Sequence, residues 1–137
     1  MGLANYAYLM KDPEFWMSVW YGTVYSISTI CLQIIVGMIA ALIVNEAFRG
    51  RNFVRGVILF PYVIPTVVAI ILWKWLLNNQ FGLVNYLLLA IGVVEDPISW
   101  IGKDHIMTSL IMISVWEFFP FVVLSVLARL QSIPPVL

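Results

Sequence analysis

The fold class is decided by one uncharged stretch of sequence, FWMSVWYGTVYSISTICLQIIVGMIAALIVN, which runs from Phe15 to Asn45. Its 31 residues exceed the about 20 that a helix needs to cross a hydrocarbon core of about 30 Å. The whole chain has a similar character, because 63% of its 137 residues are hydrophobic, 10% are charged and the mean hydropathy is +1.00. Soluble globular domains are about half apolar and about a quarter charged. The composition therefore predicts a membrane protein.

The same composition excludes several other classes of protein. Seven acidic and seven basic residues give a net charge of zero, so there is no basic surface for nucleic acid. High hydrophobicity also excludes intrinsic disorder. Cys31 is the single cysteine, and the sequence has no phosphate-binding glycine loop, no nucleophile elbow and no HExxH motif. We therefore expect no catalytic residue, no cofactor and no bound metal, and we do not expect the chain itself to be an enzyme.

The positions of the charges predict three spans, at about 16–44, 57–77 and 106–128. Lys74 lies between Trp73 and Trp75 near the end of the second span, an arrangement suited to the level of the lipid headgroups. A further apolar piece, Phe81 to Val94, is too short to cross a bilayer. We expect it to form a short interfacial helix within a connection at 78–105.

Basic residues near the ends of spans predict the orientation. Arg49, Arg51 and Arg55 cluster in the predicted linker 45–56, and such clusters favour the cytoplasmic side. The N-terminus and the connection 78–105 are therefore expected outside, in the periplasm. Arg129 and the tail with Pro134 and Pro135 are expected inside.

Two features of the first two spans indicate packing and bending. Small and polar residues recur every three or four positions along the first span, and such a stripe faces other helices rather than lipid. Its members are Ser18, Gly22, Ser26, Thr29, Gln33 and Gly37. The second span contains Pro61 and Pro65, which predict a bend near its cytoplasmic end.

The third span holds the candidate binding site. Glu117 lies near the middle of the span, where an ionised carboxylate costs about 2.5–3.5 kcal/mol on the insertion scale. Pro120 follows three residues later and cannot donate to the carbonyl of Trp116. Phe118 and Phe121 add aromatic faces that can stack on sugars or hold cations. The predicted substrate-binding residues are Trp116, Glu117, Phe118 and Phe121, although Glu117 could instead pair with a neighbouring helix while the aromatic rings form ordinary core.

An ordered set of short motifs resembles the inner-membrane permease subunits of sugar-type ABC importers, the group that includes the maltose and glycerol-phosphate permeases. The resemblance covers the whole chain in order. Its main motifs are Asp12-Pro13-Glu14-Phe15-Trp16, Arg49-Gly50-Arg51, Phe60-Pro61, Trp73-Lys74-Trp75, Gly82-Leu83-Val84-Asn85 and Leu130-Gln131-Ser132-Ile133-Pro134.

The resemblance implies an all-α fold, a polytopic transmembrane helix bundle that is part of the transmembrane domain of a type I ABC importer in the cell membrane. It implies that residues 1–137 are a central fragment, ending just before the EAA loop that docks on the ATPase. The implied partners are a second permease subunit, ATP-binding cassette subunits that hydrolyse ATP, an extracytoplasmic solute-binding protein and the lipid bilayer. The implied function is translocation of a small-molecule substrate, a sugar or sugar-like solute.

The resemblance also supports the candidate site. In the maltose-type permease the corresponding stretch lines the sugar site, and it matches residues 116–121 here. Many members have a neutral residue at the position of Glu117 and a glycine at that of Phe118, so a smaller and more polar pocket is expected. Two alternatives stay open: a permease for a polyamine or an amino acid, with Glu117 binding a cationic group, or a membrane scaffold subunit that translocates nothing.

Overall fold

A computed structural model describes residues 2–132, and every regular element in that range is a helix. The all-α prediction is therefore confirmed for this range. The predicted cytoplasmic tail with Pro134 and Pro135 lies outside the described residues. The helices are α1 (Ala4–Leu9), α2 (Pro13–Asn45), α3 (Arg51–Val63), α4 (Thr66–Leu76), α5 (Leu83–Ala90) and α6 (Ile106–Gln131).

The long helices α2 and α6 pack side by side and run in the same direction. Gln33 of α2 donates from Nε2 to the carbonyl of Ser114 at 3.1 Å, and further along both helices Gly37 lies against Val122. Both helices are long and apolar enough to cross a membrane. The second contact lies closer to the carboxyl end of both helices than the first contact does. The carboxyl ends of α2 and α6 therefore lie at the same end of the bundle. The core near that end consists of Ala41, Val44, Val123 and Leu127.

The predicted second span, 57–77, is not one helix. It is divided into α3 and α4, whose axes differ by 99°. The break falls at Ile64, which is extended with φ −74° and ψ 131°, because a residue before proline is disfavoured in the helical region and Pro65 has no amide hydrogen to donate. The predicted bend near the cytoplasmic end is thus displaced toward the middle, and Pro61 lies inside α3.

Helix α3 also begins earlier than the sequence predicts. Gly50 precedes it with φ 89°, a left-handed conformation that glycine adopts without steric cost, and the helix starts at Arg51. The predicted linker 45–56 is therefore mostly helical after residue 50, and Arg55 lies on α3. The two halves α3 and α4 are together long and apolar enough for one broken span, and a third crossing stays a prediction.

The connection 78–105 is held together by one buried side chain, Asn85 of α5, which is 3% exposed. Its Nδ2 donates to the carbonyl of Ile98 at 2.9 Å, and its Oδ1 accepts from the amide of Ile98 at 3.1 Å and from Nε1 of Trp100 at 2.9 Å. Ser109 of α6 then donates to the carbonyl of Trp100 at 2.7 Å. These bonds fix the connection to the first turn of α6.

Candidate functional site: a polar and aromatic groove

A groove of about 460 Å³ lies between α2, α3 and α6, at the level where the sequence predicts a binding site. One wall comes from α2, the opposite wall from α6, and α3 contributes its last turn. The lining residues are Tyr25, Ser26, Thr29, Ile30, Gln33, Tyr62, Phe118 and Phe121. Three of them, Ser26, Thr29 and Gln33, belong to the polar stripe on α2.

The polar wall is held in place by hydrogen bonds between α2 and α6. The hydroxyls of Tyr25 and Ser114 are 2.5 Å apart, and Gln33 binds the Ser114 carbonyl as described above. Thr29 donates back to the carbonyl of Tyr25 at 2.6 Å. Gln33 has no other side-chain hydrogen bond within residues 2–132, so its Oε1 remains able to accept a bond from a solute.

The aromatic wall combines rings from α3 and α6. Tyr62 and Phe121 are 6.1 Å apart between ring centroids with planes inclined at 32°. Phe118 is 41% and Phe121 57% exposed, so both present open ring faces to the groove. Aromatic faces opposite hydroxyl and amide groups suit a solute with both C–H faces and hydroxyls.

The four predicted site residues fall on different faces of α6. Phe118 and Phe121 line the groove, whereas Trp116 and Glu117 do not. Successive residues of a helix are rotated by about 100°, so Glu117 points away from Phe118, although it lies one turn before Phe121. Trp116 packs edge-on against Trp73 of α4, with centroids 5.4 Å apart and planes at 80°. Contact of Trp116 and Glu117 with a solute stays a prediction.

Glu117 is the most buried charged residue of α6, at 4% exposure. No hydrogen bond or ion pair to its carboxylate is formed within the described part of the chain. Nearby, Nε1 of Trp73 is also buried without a hydrogen-bond partner there. The helix α6 continues through Pro120, which is itself buried. Neither Glu117 nor Pro120 is among the residues that line the groove.

Tyr25 and Tyr62 are site residues that the sequence interpretation missed. Tyr25 lies three residues after Gly22 and four before Thr29, so the spacing of the α2 stripe admits it, and it was missed because the stripe was defined by small and polar residues. Tyr62 lies between Pro61 and Pro65, and the signal that could have found it is the break itself, since broken helices line binding sites in transporters. Within residues 2–132 no group of three or more His, Cys, Asp or Glu side chains could hold a metal.

The chain is similar in sequence to known transport proteins. Over 135 residues it is 34% identical to the trehalose/maltose transport system permease protein MalF of Thermococcus litoralis, which covers 98% of this chain and 45% of that protein. The chain is homologous to ABC transporter permease proteins. It is also 30% identical over 137 residues to the inner membrane ABC transporter permease protein YcjO of Escherichia coli, covering 97% of this chain and 46% of that protein. No family model matches it.

A solved structure shares the fold of this permease homologue. The match is to a chain in the crystal structure of a bacterial ABC transporter involved in the import of the acidic polysaccharide alginate. The TM-score is 0.81 at 22% identity, over 98% of this chain and 48% of that chain. The predicted fold class, an all-α helix bundle with the fold of an ABC importer chain, is therefore confirmed. The chain spans about half the length of the curated relatives it matches.

Proposed function

We propose that this chain forms part of the membrane path of an ATP-driven importer and contacts a sugar or sugar-like solute. The observation that carries the proposal is the groove, which sets the hydroxyl and amide groups of α2 opposite the rings of Tyr62, Phe118 and Phe121. Two relatives whose names include maltose, from Thermococcus litoralis and Klebsiella aerogenes, support a sugar as the solute.

Within this proposal the residues have two kinds of role. Phe118 and Phe121, with Tyr62, stack on the solute, and the free Oε1 of Gln33 accepts a hydrogen bond from one of its hydroxyls. Trp116 and Glu117 of α6 lie next to the groove residues in sequence, and their own contact with the solute is part of the proposal. A hydroxyl-rich solute suits such a groove because an apolar wall supplies contact area while a few polar atoms fix its orientation.

The proposal includes the partners and orientation of such an importer. The basic end of the bundle carries Arg49, Arg51 and Arg55 beside the end of α2, and Arg129 near the end of α6. By the positive-inside rule this end is cytoplasmic, and the N-terminus of this chain lies outside. A second permease subunit, two ATP-binding subunits and an extracytoplasmic solute-binding protein complete the importer.

Uptake assays on the full transporter containing this chain test the proposal. In proteoliposomes supplied with ATP and the binding protein, Tyr62→Ala should raise the KM for a neutral disaccharide about tenfold, the loss of about 1.4 kcal/mol of stacking and burial. The matched control is Tyr86→Ala, because Tyr86 on α5 is 68% exposed and lies outside the groove. Equal effects of the two variants would refute solute contact at the groove.

A cationic solute is the second candidate, and Glu117 favours it, because its carboxylate has no ion pair within residues 2–132. Glu117→Gln separates the two: abolished uptake of a polyamine or an amino acid supports the cation importer, whereas unchanged uptake of a neutral sugar supports the first proposal. A scaffold that translocates nothing predicts that a cysteine replacing Phe121 does not react with an aqueous maleimide. That labelling needs a Cys31→Ser background, because Cys31 is exposed.

A further inference from the structure

The groove between α2, α3 and α6 is lined by neutral side chains throughout the part of the chain that the structure describes. They carry hydroxyl, amide, aromatic and aliphatic groups. Sugar-like solutes fall into two electrical classes, neutral sugars and anionic ones such as uronates and sugar phosphates. A carboxylate or phosphate that leaves water without meeting a positive charge is strongly unfavourable. The charges around the groove therefore indicate which class it accepts.

The basic residues of the lining helices lie far from the groove. Helix α2 contains none. On α3 the nearest is Arg55, seven residues before Tyr62, which is about 10 Å along the helix axis, and its side chain lines a separate cavity. On α6 the nearest is Arg129, eight residues after Phe121, which is about 12 Å along the axis. These helices thus place no guanidinium or ammonium group at the groove.

The formal charge nearest to the groove along these helices is acidic. Glu117 lies four residues before Phe121 on α6, or about 6 Å along the axis, and it is 4% exposed. An ionised carboxylate at this position repels an anion, and a protonated one is neutral. In neither form does Glu117 supply the positive charge that an anionic solute needs.

The neutral groups of the lining also suit a solute without negative charge. The face of an aromatic ring carries partial negative charge, which attracts C–H groups and cations and repels anions. Tyr62 and Phe121 supply two such rings. Gln33 uses its Nε2 donor on the carbonyl of Ser114, so the amide atom left for a solute is the acceptor Oε1. An acceptor binds a sugar hydroxyl, but it repels the oxygens of a carboxylate.

We propose that the groove selects neutral sugars and rejects anionic ones, both uronates and sugar phosphates. The inference rests on the proposed function, because it requires that the solute enters the groove. It deepens that function by one property of the solute: the rings and the Gln33 acceptor bind C–H faces and hydroxyls, and the missing cation excludes a carboxylate or phosphate.

The test measures binding at the groove itself, in the full-length protein within its assembled transporter. Ile30 lines the groove and is 55% exposed, so Ile30→Cys in the Cys31→Ser background reports on it. Maleimide labelling of residue 30 is followed by peptide mass spectrometry in the presence of maltose, trehalose, or either sugar with one 6-hydroxymethyl group replaced by a carboxylate. We expect half-protection by the carboxylate analogues to need about tenfold higher concentrations or more, the cost of an unpaired charge.

A matched pair of variants tests the electrical cause. Ser26→Lys places a cation on the groove wall and should bring the half-protection concentration of the carboxylate analogues down to that of the neutral sugars or below it. The control is Ser18→Lys, because Ser18 lies two turns earlier on the same stripe, is exposed and is outside the groove. It should leave the ratio of the two concentrations unchanged.

The outcomes separate this inference from the proposed function. Equal protection by the neutral and carboxylate sugars, or better protection by the latter, would overturn the inference and leave solute binding at the groove intact. Equal shifts in Ser26→Lys and Ser18→Lys would also overturn it, since the effect would not arise at the groove wall. Protection by none of the four sugars would overturn the proposed function and the inference together. If Ser26→Lys does not assemble, the comparison of the four sugars decides alone.

Discussion

Replacing Gly37 by alanine should separate α2 from α6. A Cβ atom built on Gly37 would lie 2.6 Å from Cβ of Val122, 2.7 Å from its Cγ1 and 3.1 Å from the carbonyl oxygen of Phe119. Two of these neighbours belong to the branched, stiff part of a valine and the third is backbone, so none can move away without moving the helix. Small residues at helix interfaces serve this kind of close approach in membranes.

The magnitude follows from two opposing terms. Overpacking a tight contact costs about 1–3 kcal/mol, whereas exchanging glycine for alanine in a helix gains about 1 kcal/mol in propensity. Gly22 lies on the same helix with nothing within 4 Å of its built Cβ, so Gly22→Ala has the second term only. The propensity term cancels between the two variants. Gly37→Ala should therefore be less stable than Gly22→Ala by about 1–3 kcal/mol.

Denaturant unfolding of the full-length protein in detergent measures this difference. The double variant Gly37→Ala/Val122→Gly should recover part of the loss, because it removes the Cβ that the new methyl group meets, and contacting residues typically couple by about 0.5–3 kcal/mol. If Gly37→Ala proves as stable as Gly22→Ala, the helices are not in the close contact described here, and the placement of the groove between them fails with it.

Three further predictions concern other parts of the chain. Asn85→Leu should destabilise the connection 78–105 by about 1–3 kcal/mol for each orphaned donor, including Nε1 of Trp100, and hydrogen exchange at residues 98–100 should rise while α2 stays protected. Glu117→Gln should leave the KM for a neutral sugar within about twofold if Glu117 only supports α6, since it is outside the groove; a larger rise would place it at the solute. Pro65→Ala should reduce the 99° bend between α3 and α4, because residue 64 is then free to become helical, and a shorter spin-label distance across the break than in the wild type would contradict this.

The long helices could be predicted from the sequence because a helix that crosses a membrane needs about 20 mostly apolar residues, and the distance between charged residues shows where such stretches lie. In the structure α2 covers the uncharged stretch Phe15–Asn45, and α6 covers the predicted span 106–128, which carries the single charge of Glu117. The face of α2 could also be predicted in part: Thr29 and Gly37 of the polar stripe are buried against α6, whereas Ser18 and Gly22 are exposed. A stripe of small residues marks where a helix can approach another, but it does not say along how much of its length the neighbour extends.

The face of α6 that lines the groove could not be predicted, and the sequence therefore does not separate Phe118 and Phe121, which line it, from Trp116 and Glu117. This helix carries phenylalanine, valine, isoleucine and leucine on all sides, so the pattern of hydrophobic residues does not indicate which face packs against other helices. Glu117 was predicted as a site residue because it is charged. A charge indicates only that a residue avoids lipid, and a position outside the groove meets that requirement as well as a position inside it. Tyr62 lies in the last turn of α3, just before the break at Ile64. The two prolines predict the position of that break only approximately.

The prolines connect the fold to the proposed site. Pro61 cannot donate to the carbonyl of Val57, and Pro120 cannot donate to that of Trp116, so α3 and α6 each contain a turn with a missing amide bond. Backbone of this kind is tolerated at membrane depth only beside other protein or beside water. Tyr62 and Phe121, the two neighbouring rings of the groove, each directly follow one of these prolines in sequence. The freed carbonyls of Val57 and Trp116 therefore need a neighbouring protein group or water, and both rings lie one residue beyond a turn that lipid alone cannot cover.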